Sequence, residues 1–393
     1  MNRITTAIKN AALVALCYGY ALIRGRATHS NTKPAAILIM PASRLGDMIC
    51  ATPLFHAVKQ AYPVCRVIVV GQSNCATIHE HNPDVDEYVS VTPEHFLESI
   101  KKFKKLHVDA AVVTSPSFQA VAAFFLAGIP CMIAPHIVNG YCPYQTTPYR
   151  ILRPLFISPD VRMGSYAPGE YLKMLKSIGI NSTDTRKHLF CSDEALTKIR
   201  ILLKSKRIEP SRQCVVGISL SAGNKIKEWN ESKFADLIDW LHREYQAVII
   251  FSGSKNDLEK TNRVVGLLKT KPQYLNTVGT LNIDELKALI SLENIFIGVD
   301  SGPVYVAEAM NVPTVDIVGP IDQNEQPPIG PRNLVVVAKR TKPELYVMNA
   351  RVYNEAEARR QSEDITVDMV TAEVVKLIKV IQVNNTGSSG EQS

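Results

Sequence analysis

Three loops carry the residue types from which group-transfer chemistry is built, and each follows a short apolar run. In "PASRLGDMICATPL" (Pro41–Leu54), Asp47 comes directly after Gly46, where a helix is expected to begin. Gly46 lets the backbone approach a ligand closely. A carboxylate in that place either caps the helix or acts as a general base on an acceptor hydroxyl. In "SLSAGNKIKEW" (Ser219–Trp229), Ser221, Gly223 and Asn224 offer donors to a phosphate, and Lys225 or Lys227 offers the charge. The spacing is not that of a P-loop, because five residues separate Gly217 from Gly223 and Lys225 does not directly follow the second glycine. A plain surface turn fits these residues equally well. In "FIGVDSGPVYVAEAMNVPTVDIVG" (Phe296–Gly319), Pro303 suits the first helical position and leaves Ser301 and Gly302 at the cap. Amides at a helix start favour an anion. Asp300 would repel a phosphate, so it reads as an acceptor for sugar or ribose hydroxyls, or as a structural cap.

Other candidates are weaker. "DVD" at Asp84–Asp86 has a metal-holding form, but it follows Asn82-Pro83 at the start of an apolar strand and reads better as a turn. His79 and His81 do not share a face, and no carboxylate completes a metal set. No metal and no cofactor are expected.

The elements that must position these loops alternate. Apolar runs at Ala35–Met40, Val64–Val70, Val85–Val91 and Asp109–Val113 read as strands between amphipathic helices. A second alternating series begins near residue 212, with strands at Val215–Ser219, Ala247–Phe251, Ile295–Val299 and Thr314–Val318. Such alternation predicts parallel sheets covered on both faces, with ligands beyond the carboxyl ends of the strands. Gly140–Gly169 breaks the rhythm with five prolines and reads as a long functional loop.

At 393 residues, two domains are expected. The formal net charge of +7 is unevenly placed: Arg3, Lys9, Arg24, Arg26, Lys33 and Arg44 all precede the first acidic residue, Asp47. A second basic cluster is Lys101, Lys102, Lys104 and Lys105. Basic excess favours a phospholipid surface or a phosphorylated glycolipid. No zinc-finger spacing or aromatic-interleaved basic motif supports nucleic-acid binding. The eight cysteines form no C-x-x-C pair, which suits a reducing cytosol. Ala11–Ile23 is a chargeless run of thirteen residues, short for a transmembrane span. It reads as a helix lying on an anionic membrane face with its arginines on lipid phosphates, or as one packed on the body of the protein.

Taken in order, "RLGDMICATPLFHAVKQAYP", "SAGNKIKEWNESKFADLI" and "IFIGVDSGPVYVAEAMNVPTVDIVGP" resemble glycosyltransferase family 9, the heptosyltransferases of lipopolysaccharide core assembly. "EYLKMLKSIGI" and "NTVGTLNIDELKALI" match its connecting segments. The resemblance implies a GT-B fold: two Rossmann-like, doubly wound parallel-sheet domains facing a cleft. The expected organisation is an N-terminal helix over 1–33, an acceptor domain over 34–190 and a nucleotide-sugar domain over 191–345. A helical region over 346–382 returns to the first domain, and a disordered tail occupies 383–393. The implied activity is inverting, metal-independent transfer, with heptose from ADP-heptose moved to a lipid-linked glycan acceptor at the inner face of the cytoplasmic membrane. Asp47 is then the catalytic base. Lys227 meets the donor phosphates, while Gly46, Ser221, Gly223, Asn224, Asp300, Ser301, Gly302 and Tyr305 line the donor site. Tyr305 stands where the family usually carries histidine. A nucleotide-sugar epimerase on the same fold, or a binding protein that has lost catalysis, are the alternatives.

Overall fold

The computed structural model describes residues 3–28, 33–42, 44–92 and 95–387. The chain forms two compact units, Met1–Arg186 and Lys187–Ser393.

The first unit runs α1 (Arg3–Arg24), β1 (Ala36–Met40), α2 (Leu45–Cys50), α3 (Thr52–Ala61), β2 (Arg66–Gly71), β3 (Glu87–Ser90), α4 (Phe96–Lys105), β4 (Ala110–Val113) and α5 (Phe118–Leu126). It continues with β5 (Cys131–Ile133), β6 (His136–Val138), α6 (Thr147–Leu152), β7 (Asp160–Arg162) and α7 (Ala167–Met174). Its main sheet has the order β3-β2-β1-β4-β5 and is parallel throughout, with Leu38 opposite Ile68 on one side and Ala111 on the other. Buried on both faces, the central strands are continuous apolar runs, as parallel sheets require.

One face of this sheet is covered by α5, whose residues are apolar apart from exposed Gln119 and almost all buried. Helix α4 packs on α5 through Phe103 against Phe124 (ring centroids 4.7 Å apart). Helix α1 packs on α5 and α6, placing Leu13, Val14, Cys17, Tyr20 and Ala21 in the same core. Arg24 turns inward. Its guanidinium donates to the Phe125 carbonyl (2.7 Å) and the Ile129 carbonyl at the end of α5, and lies 4.9 Å over the Phe125 ring. Arg24 therefore does not sit at a lipid phosphate as expected, because carbonyls at and just beyond the C-terminal end of α5 bind it instead.

Gly140–Gly169 is not an irregular loop. It contains α6 and β7, and β7 pairs in parallel with β6. Pro148 and Pro168 occupy the first turns of α6 and α7, where no amide is needed. The buried Gln145 side chain bonds both the amide and the carbonyl of Ile137, and Tyr149 donates to the Pro135 carbonyl (2.6 Å).

The second unit runs α8 (Asp193–Ser205), β8 (Val215–Ser219), α9 (Glu231–Tyr245), β9 (Val248–Phe251), α10 (Leu258–Gly266), β10 (Tyr274–Asn276), α11 (Ile283–Ile290) and β11 (Ile295–Val299). It ends with α12 (Gly302–Ala309), β12 (Thr314–Val318), β13 (Asn333–Val337), α13 (Glu355–Glu363) and α14 (Val367–Gly387). Its six parallel strands have the order β10-β9-β8-β11-β12-β13. Counted within the unit this is 3-2-1-4-5-6, the Rossmann order. Val216, Ile218, Ile297 and Ile317 join α9 and α14 on one face, while Val215, Val248 and Ile250 join α8 and α11 on the other.

Region 346–382, expected to return to the first domain, is seated on the second unit in the described residues. Val370, Val374 and Leu377 of α14 enter the core formed by β12, β13 and α9. The expected tail is helical as far as Gly387, and residues 388–393 lie outside the described residues.

Candidate active site

In each unit the singled-out residues lie at the carboxyl end of the sheet, where the strand order reverses. In the first unit that point lies between β1 and β4, tied by the Thr114 amide donating to the Met40 carbonyl (3.1 Å). The loop after Met40 leads into α2, whose Met48, Ile49 and Cys50 are buried. Their burial leaves Gly46 and the half-buried Asp47 in the first turn of α2, on the sheet's carboxyl side. Arg44 precedes the helix in extended conformation and makes no side-chain cap.

In the second unit the reversal lies between β8 and β11. The loop Leu220–Glu228 leaves β8 and the segment Asp300–Gly302 leaves β11, so the two sit side by side. Lys227 Nζ donates to Asp300 Oδ2 at 2.7 Å and also to the Asp300 carbonyl. Asp300 is wholly buried, and its other oxygen, Oδ1, accepts from the Tyr305 hydroxyl. Tyr305 is only 2% exposed. Both residues were expected to face the donor, yet Asp300 is placed as the counter-ion of Lys227 and Tyr305 as the support behind it. The Lys227 side chain keeps 14% of its surface exposed, which makes it the open member of the trio.

Ser301 is the extended N-cap of α12 (φ −161°, ψ 173°), and its hydroxyl donates to the Val299 carbonyl (2.9 Å). Because Pro303 carries no N–H, the amides of Ser301 and Gly302 are what this helix start can present to an anion. Gly298 sets the seating of α12: a Cβ there would lie 2.5 Å from Ser219 Oγ and 3.0 Å from Val304. Asn224 caps the turn Lys225–Lys227 by accepting from the Ile226 amide (3.3 Å). Ser221 is half-buried and Gly223 exposed on the same loop.

Four supporting groups escaped the sequence reading. Lys260 of α10, a buried lysine, donates to the Leu220 carbonyl (2.7 Å) and to Glu228 (2.9 Å), pinning the loop from beneath. Ser362 of α13 donates to the Ile226 carbonyl (2.8 Å) and holds it from the other side. Lys187, its side chain wholly buried, pairs with Glu308 of α12 and lies 5.4 Å from the Tyr305 ring centroid. Asp316, midway along β12, is fully buried, and neither of its oxygens has a hydrogen-bond partner among the described residues. Burial pushes its carboxyl well above the usual carboxylate range, reinforced by the charge of Asp300 and opposed by Lys227. An aspartate inside "TVDIV" was the available signal for Asp316. The two lysines gave none, since lysine in an amphipathic segment normally faces solvent.

The weaker candidates are structural. Asp84 pairs with His56 Nδ1 (3.0 Å), and Asp86 with Lys59 (2.6 Å) and the Val67 amide (2.7 Å). His79 is buried between the rings of Phe55 and Tyr88.

Residues 177–351 match the family described as glycosyltransferase family 9 (heptosyltransferase). Lipopolysaccharide heptosyltransferase 3 of Escherichia coli is 24% identical over 287 residues, covering 70% of this chain and 81% of that protein. Lipopolysaccharide heptosyltransferase 2 of Escherichia coli K12 is 23% identical over 317 residues, covering 76% and 87%. Among solved structures, E. coli ADP-heptose lps heptosyltransferase II superposes with a TM-score of 0.69 at 20% identity, over 88% of this chain and 99% of that one. The matched segment contains the loop after β8 and the start of α12, and the relatives extend beyond it. Two Rossmann-like units with a lysine and a helix start at the second switch point form a GT-B fold, and residues 177–351 resemble glycosyltransferase family 9.

Proposed function

We propose that this glycosyltransferase moves heptose from ADP-heptose to a lipopolysaccharide core or similar lipid-linked acceptor, with inversion and without a metal. The observation that carries the reading is Lys227, held by buried Asp300 with one side open, beside the Ser301 and Gly302 amides at the switch point of the second unit. A fixed ammonium and two helix-start amides supply the positive potential that a departing diphosphate needs. That the relatives are lipopolysaccharide heptosyltransferases, one of them named as an ADP-heptose enzyme, supports the sugar, the nucleotide and the acceptor class.

In this reaction the acceptor hydroxyl oxygen attacks the anomeric carbon while the bond to the diphosphate breaks. The electron pair leaves with ADP, and the hydroxyl proton passes to the Asp47 carboxylate. One displacement inverts the anomeric centre. Ser221, Gly223 and Asn224 are the further donor-side contacts. The enzyme works at the cytoplasmic face of the membrane that carries its acceptor.

The test is initial-rate transfer from ADP-heptose to a truncated, delipidated core saccharide, with the linkage read by NMR. Expected are the inverted anomer, full activity after chelator treatment, and a loss in kcat of about 100-fold or more in Asp47→Asn. Full turnover by Asp47→Asn would remove the base. Donor turnover without any acceptor would make the protein an epimerase.

A further inference from the structure

Helix α1 has two apolar faces, and only one is covered by the described residues of its unit. Leu13, Val14, Cys17, Tyr20 and Ala21 pack inward. On the opposite side Ile4, Ile8, Leu16, Leu22 and Ile23 are exposed, Leu22 and Ile23 by 91% and 84%, with exposed Ala11, Ala12, Ala15 and Gly19 between them. A continuous exposed apolar stripe of this kind marks an interaction surface.

The charges nearby select the occupant. Helix α4 packs on α5 as α1 does, in the same core and so on the same face of the sheet. Ser99 and Phe103 are buried and Phe96 and Ile100 pack on the core, which leaves Lys101, Lys102, Lys104 and Lys105 exposed together with Leu97 and a single acidic residue, Glu98. An apolar stripe accompanied by lysines matches the boundary between anionic headgroups and acyl chains. Ile4–Arg24 is also long and apolar enough to span a bilayer. Spanning would strip Arg24 from the part-buried Phe125 and Ile129 carbonyls and Tyr18 from the Ile151 carbonyl (2.6 Å), and would carry the Arg24 charge away from the groups that hold it. The docked, in-plane arrangement keeps all three bonds.

We propose that the outer face of α1 and the lysine face of α4 form one surface on which the first unit lies against an anionic lipid bilayer, with α1 parallel to the membrane plane. The lysines of α4 take the electrostatic part that the inward-turned Arg24 does not. The inference rests on the reading that the acceptor is lipid-linked, and it supplies the geometry of that encounter.

The test is flotation of the full-length protein with vesicles of phosphatidylcholine alone, or of equal parts phosphatidylcholine and phosphatidylglycerol. Wild type floats with the anionic vesicles and is released by high salt. Leu22→Gln with Ile23→Gln, and separately Lys101→Glu with Lys105→Glu, each lower the bound fraction on the order of tenfold. Both variants retain wild-type transfer to the delipidated saccharide, which separates this surface from the transferase reading. Three outcomes overturn the proposal. They are binding unchanged in both variants, retention in the membrane after alkaline extraction (a span), and a wild-type dimer in solution that becomes a monomer in the α1 variant.

Discussion

Asp300 has no exposed surface, yet its two oxygens hold an ammonium and a phenol. Removing the phenol leaves one oxygen of a buried carboxylate unpaired, and the carboxylate then holds Lys227 less firmly. Tyr305→Phe is therefore expected to raise the donor KM by about tenfold with the acceptor KM unchanged, and Tyr305→His, which can still donate, recovers part of the loss. Initial rates against each substrate decide this, and a variant that lost only thermal stability would count against the support role. Asp316 makes a pH prediction. Its folded pKa lies above the ordinary 3.8, so as pH rises the unfolded chain gives up its proton first. Stability is full below the unfolded value and falls as pH rises through the folded one, by up to about 1.4 kcal/mol per pH unit. Asp316→Asn cannot titrate, so its melting temperature relative to wild type should rise as pH increases above the ordinary carboxylate range. A difference that stays flat as pH increases shows Asp316 to be ionised in the fold.

Among the described helices, α5 is one of the most enclosed, and its C-terminal end is closed by Arg24 from a different helix. Arg24→Ala loses two charge-assisted bonds and uncaps part-buried carbonyls, at a cost of about 1.5–3 kcal/mol in urea unfolding. A change below about 0.5 kcal/mol means water replaces the guanidinium without loss. The alternating strands and helices were legible because period and length distinguish them in runs such as "AILIM" and "VVGIS". Helix α6 and the first turn of α7 were not, because prolines that normally punctuate loops here occupy helix first turns, whereas the rest of α7 falls in a helix expected over Glu170–Ile178. Strand β13 and helix α8 also went unread. The former is a half-exposed edge, and the latter has an amphipathic pattern that gave no sign of which unit it serves.

For the molecule as a whole, two units with separate cores predict separate responses to ligand. On the proposed donor site, ADP alone is expected to raise only the transition belonging to the second unit in calorimetry, by about 2.7 kcal/mol at a hundredfold excess over Kd. Lys227→Met should abolish the shift. An equal shift of both transitions would place nucleotide contacts on the first unit as well.

The sequence by itself determined the two alternating α/β halves, the carboxyl-end loops that carry Asp47, Lys227 and Ser301–Gly302, and the family they resemble. These follow from local pattern: strand period, helix caps and collinear motifs. Only the tertiary structure decided what those side chains face. The sheet order put Lys227 against Asp300 across 73 positions of sequence, buried Tyr305 behind them, and turned Arg24 inward while leaving the other face of α1 bare. Which groups are buried together depends on strand order and helix packing, and no local spacing encodes that.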